Sequence, residues 1–203
     1  MSTLRIGLLG GTFDPPHLGH LLVAQEAVQQ LSLSTLLFLV ANRPPHKEGE
    51  SLSSPVIRGE LARAAVQGNP AFEVSEVEFE REGPSFTVDT LRYFRSIHPD
   101  ARLFFILGAD QLADFHEWRE PDQILDLATL VGVARDGAEP EGVAAPRLPS
   151  GREVKFRTLT VPRVDISASD IRERVASGQS IRYRVPEAVN ELIERYRLYR
   201  AIS

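Results

Sequence analysis

Two histidines three residues apart, His17 and His20, follow a glycine-rich run, Gly10-Gly11-Thr12-Phe13-Asp14-Pro15-Pro16. An imidazole donates a hydrogen bond to a phosphate oxygen or, once protonated, neutralises its charge. Glycines let a backbone approach a ligand with no Cβ in the way. The apolar segment Arg5-Ile6-Gly7-Leu8-Leu9 precedes the run and an amphipathic segment follows it. That order predicts a strand, a tight turn and a helix whose first N–H groups and positive dipole end face an anion. A nucleoside triphosphate is the guest these residue types suit best. The run is not G-x-G-x-x-G and no Gly-Lys-Ser/Thr follows it, which disfavours a dinucleotide fingerprint and excludes a P-loop. Two other roles stay open for the histidines. One is a satisfied structural pair; the other is a metal site, although zinc wants three or four ligands and only His46 and carboxylates could complete the set.

Other residues suit the same chemistry. Gly108 and Asp110 follow the apolar segment Leu103 to Leu107, at the carboxyl edge where such sheets bind ligands; Asp110 could equally cap the next helix. Ser167-Ala168-Ser169-Asp170 has the Ser-x-x-Asp spacing of a helix start, so a plain cap is the alternative for Ser167. Ser169 and Arg172 share a face of that helix and make a second anion site, the guanidinium gripping two phosphate oxygens at once. Trp118 is the single tryptophan; charged neighbours Glu117, Arg119 and Glu120 place it at a partly exposed position, with burial in the core as the alternative. His46 and Lys47 follow Pro44-Pro45 in a loop that is a candidate lid, or simply a solvated basic pair.

The elements that must position these residues alternate. Apolar runs lie at Ile6 to Leu9, Thr35 to Val40, Phe72 to Phe79, Leu103 to Leu107, Leu130 to Val133 and Val154 to Val161. Helical patterns span His17 to Leu31, Val56 to Gln67, Val88 to Ile97, Gln123 to Leu127, Ala168 to Ala176 and Glu187 to Tyr199. Such alternation predicts an α/β fold with a parallel sheet and helices on both faces. Leu21, Ala24, Val28 and Leu31 form one apolar stripe, and His17 continues it inward at the N-terminal end. Phe72 to Phe79 alternates apolar with polar residues, as a half-exposed edge strand does. Arg135 to Arg152, rich in Gly and Pro, is expected to be a long surface loop. No linker divides the chain, so residues 1–203 are expected to form one domain, with a helical part at about 167–203.

Composition narrows the class. Hydrophobic residues make up 42% and charged residues 25%, the balance of an ordinary globular protein. A net charge of -5 argues against a nucleic-acid coat, although residues 152–203 carry 11 basic against 7 acidic side chains, a solvated basic face or a few functional arginines. There is no cysteine, hence no disulfide framework and no thiolate metal site. No segment has the length of a membrane span or of a signal peptide, so a cytoplasmic protein without a membrane partner is expected.

The segment Gly11-Thr12-Phe13-Asp14-Pro15-Pro16-His17-Leu18-Gly19-His20 resembles the signature of the nucleotidyltransferase superfamily, whose members transfer AMP or CMP from a triphosphate. Further along, Pro44-Pro45-His46-Lys47, Gly83-Pro84-Ser85-Phe86-Thr87-Val88-Asp89-Thr90, Gly108-Ala109-Asp110, Trp118, Val131-Gly132-Val133-Ala134-Arg135 and Ile166-Ser167-Ala168-Ser169-Asp170-Ile171-Arg172 resemble, in order, segments of the bacterial nicotinate-nucleotide adenylyltransferases. The resemblance implies a doubly wound, Rossmann-like nucleotidyltransferase fold and adenylyl transfer from ATP to nicotinate mononucleotide. It implies catalytic roles for His17, His20 and Arg172, and an ATP site of Gly10, Gly11, Thr12, Phe13, His17, His20, Gly108, Asp110, Ser167, Ser169 and Arg172. The mononucleotide would meet Thr12, His46, Lys47, Ser85, Phe86, Thr87, Trp118 and Arg135. Its ring would stack on Trp118, and its ring carboxylate would meet N–H groups where a helix begins near Phe86 and Thr87. Mg²⁺ would travel with ATP, with no protein metal site.

The chain departs from the family's pattern at Val40, Phe86, Arg119, Asp136 and Arg184; Phe86 lacks a frequent tyrosine hydroxyl, and Arg119 replaces a frequent aromatic. The rivals are an adenylyltransferase acting on nicotinamide mononucleotide or phosphopantetheine, a non-catalytic nucleotide sensor, and a small metal-binding protein. Self-association is left open.

Overall fold

The computed structural model describes residues 3–44, 52–135 and 147–200. Six strands, β1 (Arg5–Gly11), β2 (Thr35–Val40), β3 (Phe72–Ser75), β4 (Arg102–Leu107), β5 (Thr129–Arg135) and β6 (Phe156–Val161), form one sheet in the order β3-β2-β1-β4-β5-β6. All five pairings are parallel. The helices are α1 (Leu18–Gln30), α2 (Pro55–Val66), α3 (Thr87–Ile97), α4 (Ala109–Ala113), α5 (Pro121–Leu127), α6 (Ala168–Ala176) and α7 (Glu187–Arg195). This is the doubly wound α/β architecture that the alternation predicts.

The inner strands are apolar without interruption because both of their faces are covered. Alternate residues point to opposite sides: Ile6, Leu8, Leu37, Leu39, Leu103, Phe105 and Leu107 share one core with Val88, Leu91 and Phe94 of α3 and Ile124 of α5. Leu9, Leu36, Phe38, Val40, Phe104 and Ile106 share the other with Ala24 and Ala27 of α1 and Ala62 of α2. A third cluster joins Leu61 and Ala65 of α2 to Ile171 of α6 and Val189 and Ile193 of α7. The C-terminal helices thus share packing with the body through α2. Among the described residues no helix is long and apolar enough to cross a membrane.

Three segments differ from expectation. The edge strand stops at Ser75, and Val77–Glu80 is a 3₁₀ turn, because Glu78 folds inward and accepts a 2.7 Å hydrogen bond from the Thr90 hydroxyl. Between β4 and α5, where the helical patterns leave a gap and only the capping alternative for Asp110 points to a helix, lie α4 and a 3₁₀ turn, Asp114–Glu117. They bury Leu112 and Phe115, apolar residues too few to show a period. The expected surface loop is shorter at both ends. Arg135 closes β5, and Leu148 is buried in the core while Arg147 bridges to Glu153.

Strand order reverses between β1 and β4, and the chain leaves these two strands in opposite directions. Such a switch point opens a crevice at the carboxyl ends, here beside Gly11 and Gly108.

Candidate active site

The glycine-rich loop turns back under itself. Phe13 has a φ of 52° and is 2% exposed, its ring packed on Phe38 and edge-on to His20 at 5.1 Å. A Cβ on Gly11 would sit 2.8 Å from the Phe13 ring, so this glycine is required by packing. At Gly10 a Cβ would make only ordinary contact with Phe105 at 3.6 Å. Phe13 spends its side chain in the core, which leaves only its backbone for the expected nucleotide contact.

His17 is the N-cap of α1 and is buried, as its inward stripe predicts. Its ring stacks on that of His20 with centroids 3.7 Å apart, and a Cβ on Gly19 would come within 3.0 Å of it. The His17 backbone N–H donates to His20 Nδ1 at 3.2 Å. With Nδ1 accepting, the proton of the neutral His20 ring is assigned to Nε2, which becomes a donor. Burial, and then the neighbouring His17, push the His20 pKa well below its ordinary 6.5. The helix start is less open than expected. The Leu18 N–H donates to the Arg184 carbonyl at 2.9 Å and the His20 N–H to the His17 carbonyl at 2.9 Å.

Beneath the loop lies a buried polar brace that sequence reasoning missed. Arg58 of α2 is 1% exposed. Its guanidinium donates to the carbonyls of Ser53 (3.0 Å), Thr12 (3.0 Å), Ala41 (2.6 Å) and Asn42 (3.0 Å). Asp14, 2% exposed, accepts from the Ser53 N–H at 3.0 Å and from the Tyr199 hydroxyl at 2.6 Å. Burial, reinforced by Asp14, raises the Tyr199 pKa far above the phenol range, so its hydroxyl stays a donor. One signal was available for Arg58: it falls at helical spacing with Leu61, Ala62 and Ala65, on the face that is buried.

The second anion motif is adjacent. Ser167 caps α6, its Oγ accepting from the Asp170 N–H at 3.1 Å, so the capping alternative describes it. Arg172 donates to the Asp14 carbonyl at 2.8 Å and to Ser169 Oγ at 3.3 Å, which joins α6 to the signature loop. Arg184 binds Asp170 at 2.7 Å, and through its own carbonyl it holds α1; that accounts for a charged residue at this turn.

On the same edge a cavity of about 300 Å³ is lined by Gly10, Gly11, Thr12, Ser85, Phe86, Thr87, Phe105, Trp118 and Arg119, among others. Trp118 is partly buried against Phe105 and Phe115 and lines this space, so it belongs to the core on one side and to the cavity wall on the other. Ser85 Oγ accepts from the Asn42 and Arg43 N–H groups at 3.0 and 3.3 Å, tying the β2 exit to the α3 entrance. Phe86 is the N-cap of α3 and Thr87 its first residue. Gly108 is the N-cap of α4, with its N–H donating to Gln111 Oε1 at 3.1 Å. Asp110 lies exposed in the first turn of that helix and is not its cap. His46, Lys47 and Asp136 lie outside the described residues, as does the Arg135 side chain.

Residues 8–174 match the cytidylyltransferase-like family model, so the chain belongs to that nucleotidyltransferase family. Its relatives narrow the assignment to the nicotinate-nucleotide adenylyltransferases. A chain of Thermus thermophilus named "Probable nicotinate-nucleotide adenylyltransferase" is 47% identical over 97% of this chain and 100% of its own length. A chain of Exiguobacterium sibiricum with the same name is 44% identical over 97% and 99%. The fold agrees with that of Plasmodium falciparum nicotinic acid mononucleotide adenylyltransferase complexed with NaAD, at a TM-score of 0.78, 18% identity and 97% coverage of both chains.

Proposed function

We propose that this protein transfers the adenylyl group of ATP to nicotinate mononucleotide, giving nicotinate adenine dinucleotide and pyrophosphate, a step of NAD biosynthesis. The observation that carries this reading is a juxtaposition. The glycine-rich loop that leads into the stacked histidine pair lines a cavity that Trp118 and the start of α3 line as well. The near full-length identity to relatives of that name supports it.

In this reaction a 5′-phosphate oxygen of the mononucleotide attacks the α-phosphorus in line. The bond from that phosphorus to the bridging oxygen breaks, and the electron pair leaves with pyrophosphate. No protein nucleophile is needed; positioning and charge stabilisation do the work. His20, neutral with Nε2–H as donor, is suited to the bridging oxygen as charge grows there, and nearby phosphate raises its tendency to take a full proton. His17 supports that ring by stacking. Arg172 and Ser169 suit the outer phosphates, and Gly108 and Asp110 the adenosine end. The ring of the mononucleotide fits beside Trp118, with its carboxylate toward the start of α3. We read Mg²⁺ as part of the substrate, held by phosphate oxygens and water. The cytoplasm, where ATP is available, is the setting this reaction implies.

Pyrophosphate release with Mg-ATP tests this directly, using nicotinate mononucleotide, nicotinamide mononucleotide and phosphopantetheine in separate reactions. Release with the nicotinate compound at least about tenfold above the others is expected, with loss of turnover when Mg²⁺ is chelated. Equal rates with acid and amide would keep the chemistry and remove the assigned acceptor. Release with none would remove both.

A further inference from the structure

Arg119 and Phe86 meet at the cavity. The Arg119 guanidinium carbon lies 4.7 Å above the centre of the Phe86 ring. Both line the space shared with Thr87 and Trp118. Phe86 caps α3 without a side-chain acceptor for its first N–H groups, and such donors are left to a ligand or water. The adjacent acids are taken up mainly by a different arginine: Arg92 reaches Asp89 at 2.8 Å and Glu120 at 2.5 Å. Arg119 keeps only longer contacts to the same two carboxylates, at 4.0 and 3.5 Å. Its guanidinium is thus steadied by a ring, and its two ion pairs are longer than those of Arg92.

We infer that Arg119 is a specificity-determining residue for the acceptor: held over the Phe86 ring, its guanidinium receives the ring carboxylate together with the N–H groups that open α3. The inference rests on the reaction proposed above. A guanidinium fork matches a carboxylate with two parallel hydrogen bonds. A carboxamide offers one acceptor oxygen, and its NH₂ would set donor against donor. The two residues then act together, the phenyl ring giving the guanidinium a face to rest over.

The test compares wild type, Arg119→Ala, Arg119→Lys and Phe86→Ala. It reads KM for nicotinate mononucleotide, KM for ATP, and nicotinamide mononucleotide as substrate or, where turnover is too slow, as inhibitor. In Arg119→Ala, KM for the acid should rise about tenfold, while KM for ATP and the apparent affinity for the amide stay within about twofold. Arg119→Lys should recover part of the acid preference, because charge returns without the planar fork. Phe86→Ala should lose part of it, because the fork is no longer held. If Arg119→Ala leaves KM for the acid unchanged, or shifts acid and amide by the same factor, the assignment is overturned. A wild type that turns over the acid separates the two claims. Without that turnover the reaction and the inference fall together; with it and an undisturbed preference, only Arg119 is dismissed.

Discussion

Around Asp14 the molecule is dry and cross-braced. A buried arginine spans four carbonyls, a buried carboxylate takes a tyrosine hydroxyl, and Arg172 pins the Asp14 carbonyl from above. Around Trp118 the same sheet edge is half open and aromatic, with arginine and glutamate at its rim. The two regions meet at Thr12, whose carbonyl belongs to the brace and whose residue lines the cavity. The contrast follows from what each end has to do. Charge that develops on a leaving group is stabilised only by donors already in place, so their supports must be rigid. A flat ring is selected by shape and by a few polar contacts, which tolerate an adjustable wall.

The largest effect should come from breaking the brace. Arg58→Met leaves the Thr12, Ala41, Asn42 and Ser53 carbonyls without their donor. Unfolding in urea should show a loss of about 3–5 kcal/mol, from several buried acceptors left unsatisfied at once. A loss below about 1 kcal/mol would mean that the dry region is no more rigid than the open one. Next comes His20→Ala, expected to lower kcat on the order of a hundredfold with little change in KM for the acceptor. Near-normal turnover would remove His20 from the chemistry. In the open region, Trp118→Ala should raise KM for nicotinate mononucleotide roughly tenfold and leave KM for ATP nearly unchanged. Equal rises with a lower melting temperature would make Trp118 a core residue and blur the contrast.

The smallest effect is one of pH. His20 in the folded protein resists protonation, whereas the unfolded chain takes up that proton near the ordinary value of 6.5. The unfolded state therefore binds more protons below that value, so stability is retained above it and falls as pH drops. Denaturation measured from pH 8 to 5 should show this decline, and His20→Gln should flatten it. An unchanged slope would mean that the imidazole titrates alike in both states.

The open region was the more legible of the two in the sequence. Strands β1, β2 and β4 announce themselves as unbroken apolar runs, because burial on both faces leaves no room for polar residues. The glycine–histidine run and Trp118 stand out by residue type alone. The brace does not. Arg58 offers no more than its helical spacing with Leu61, Ala62 and Ala65, and Tyr199 reaches Asp14 across 185 positions. Ser85 and Ser167 were legible as residues but not in function, since a hydroxyl that bonds backbone is indistinguishable in sequence from one that awaits a ligand. Val77–Glu80 alternates like a strand and folds as a 3₁₀ turn, because the inward carboxylate of Glu78 found a hydroxyl on α3.

The contact between Tyr199 and Asp14 has a consequence for how the protein is made. On the ribosome the glycine-rich loop emerges early, and the tyrosine that fastens it follows 185 residues later. At synthesis rates of about 5–20 residues per second, the loop waits roughly ten to forty seconds for its clasp. Through that interval the nascent chain has a sheet to grow on, yet Asp14 lacks the hydroxyl that completes its set of donors.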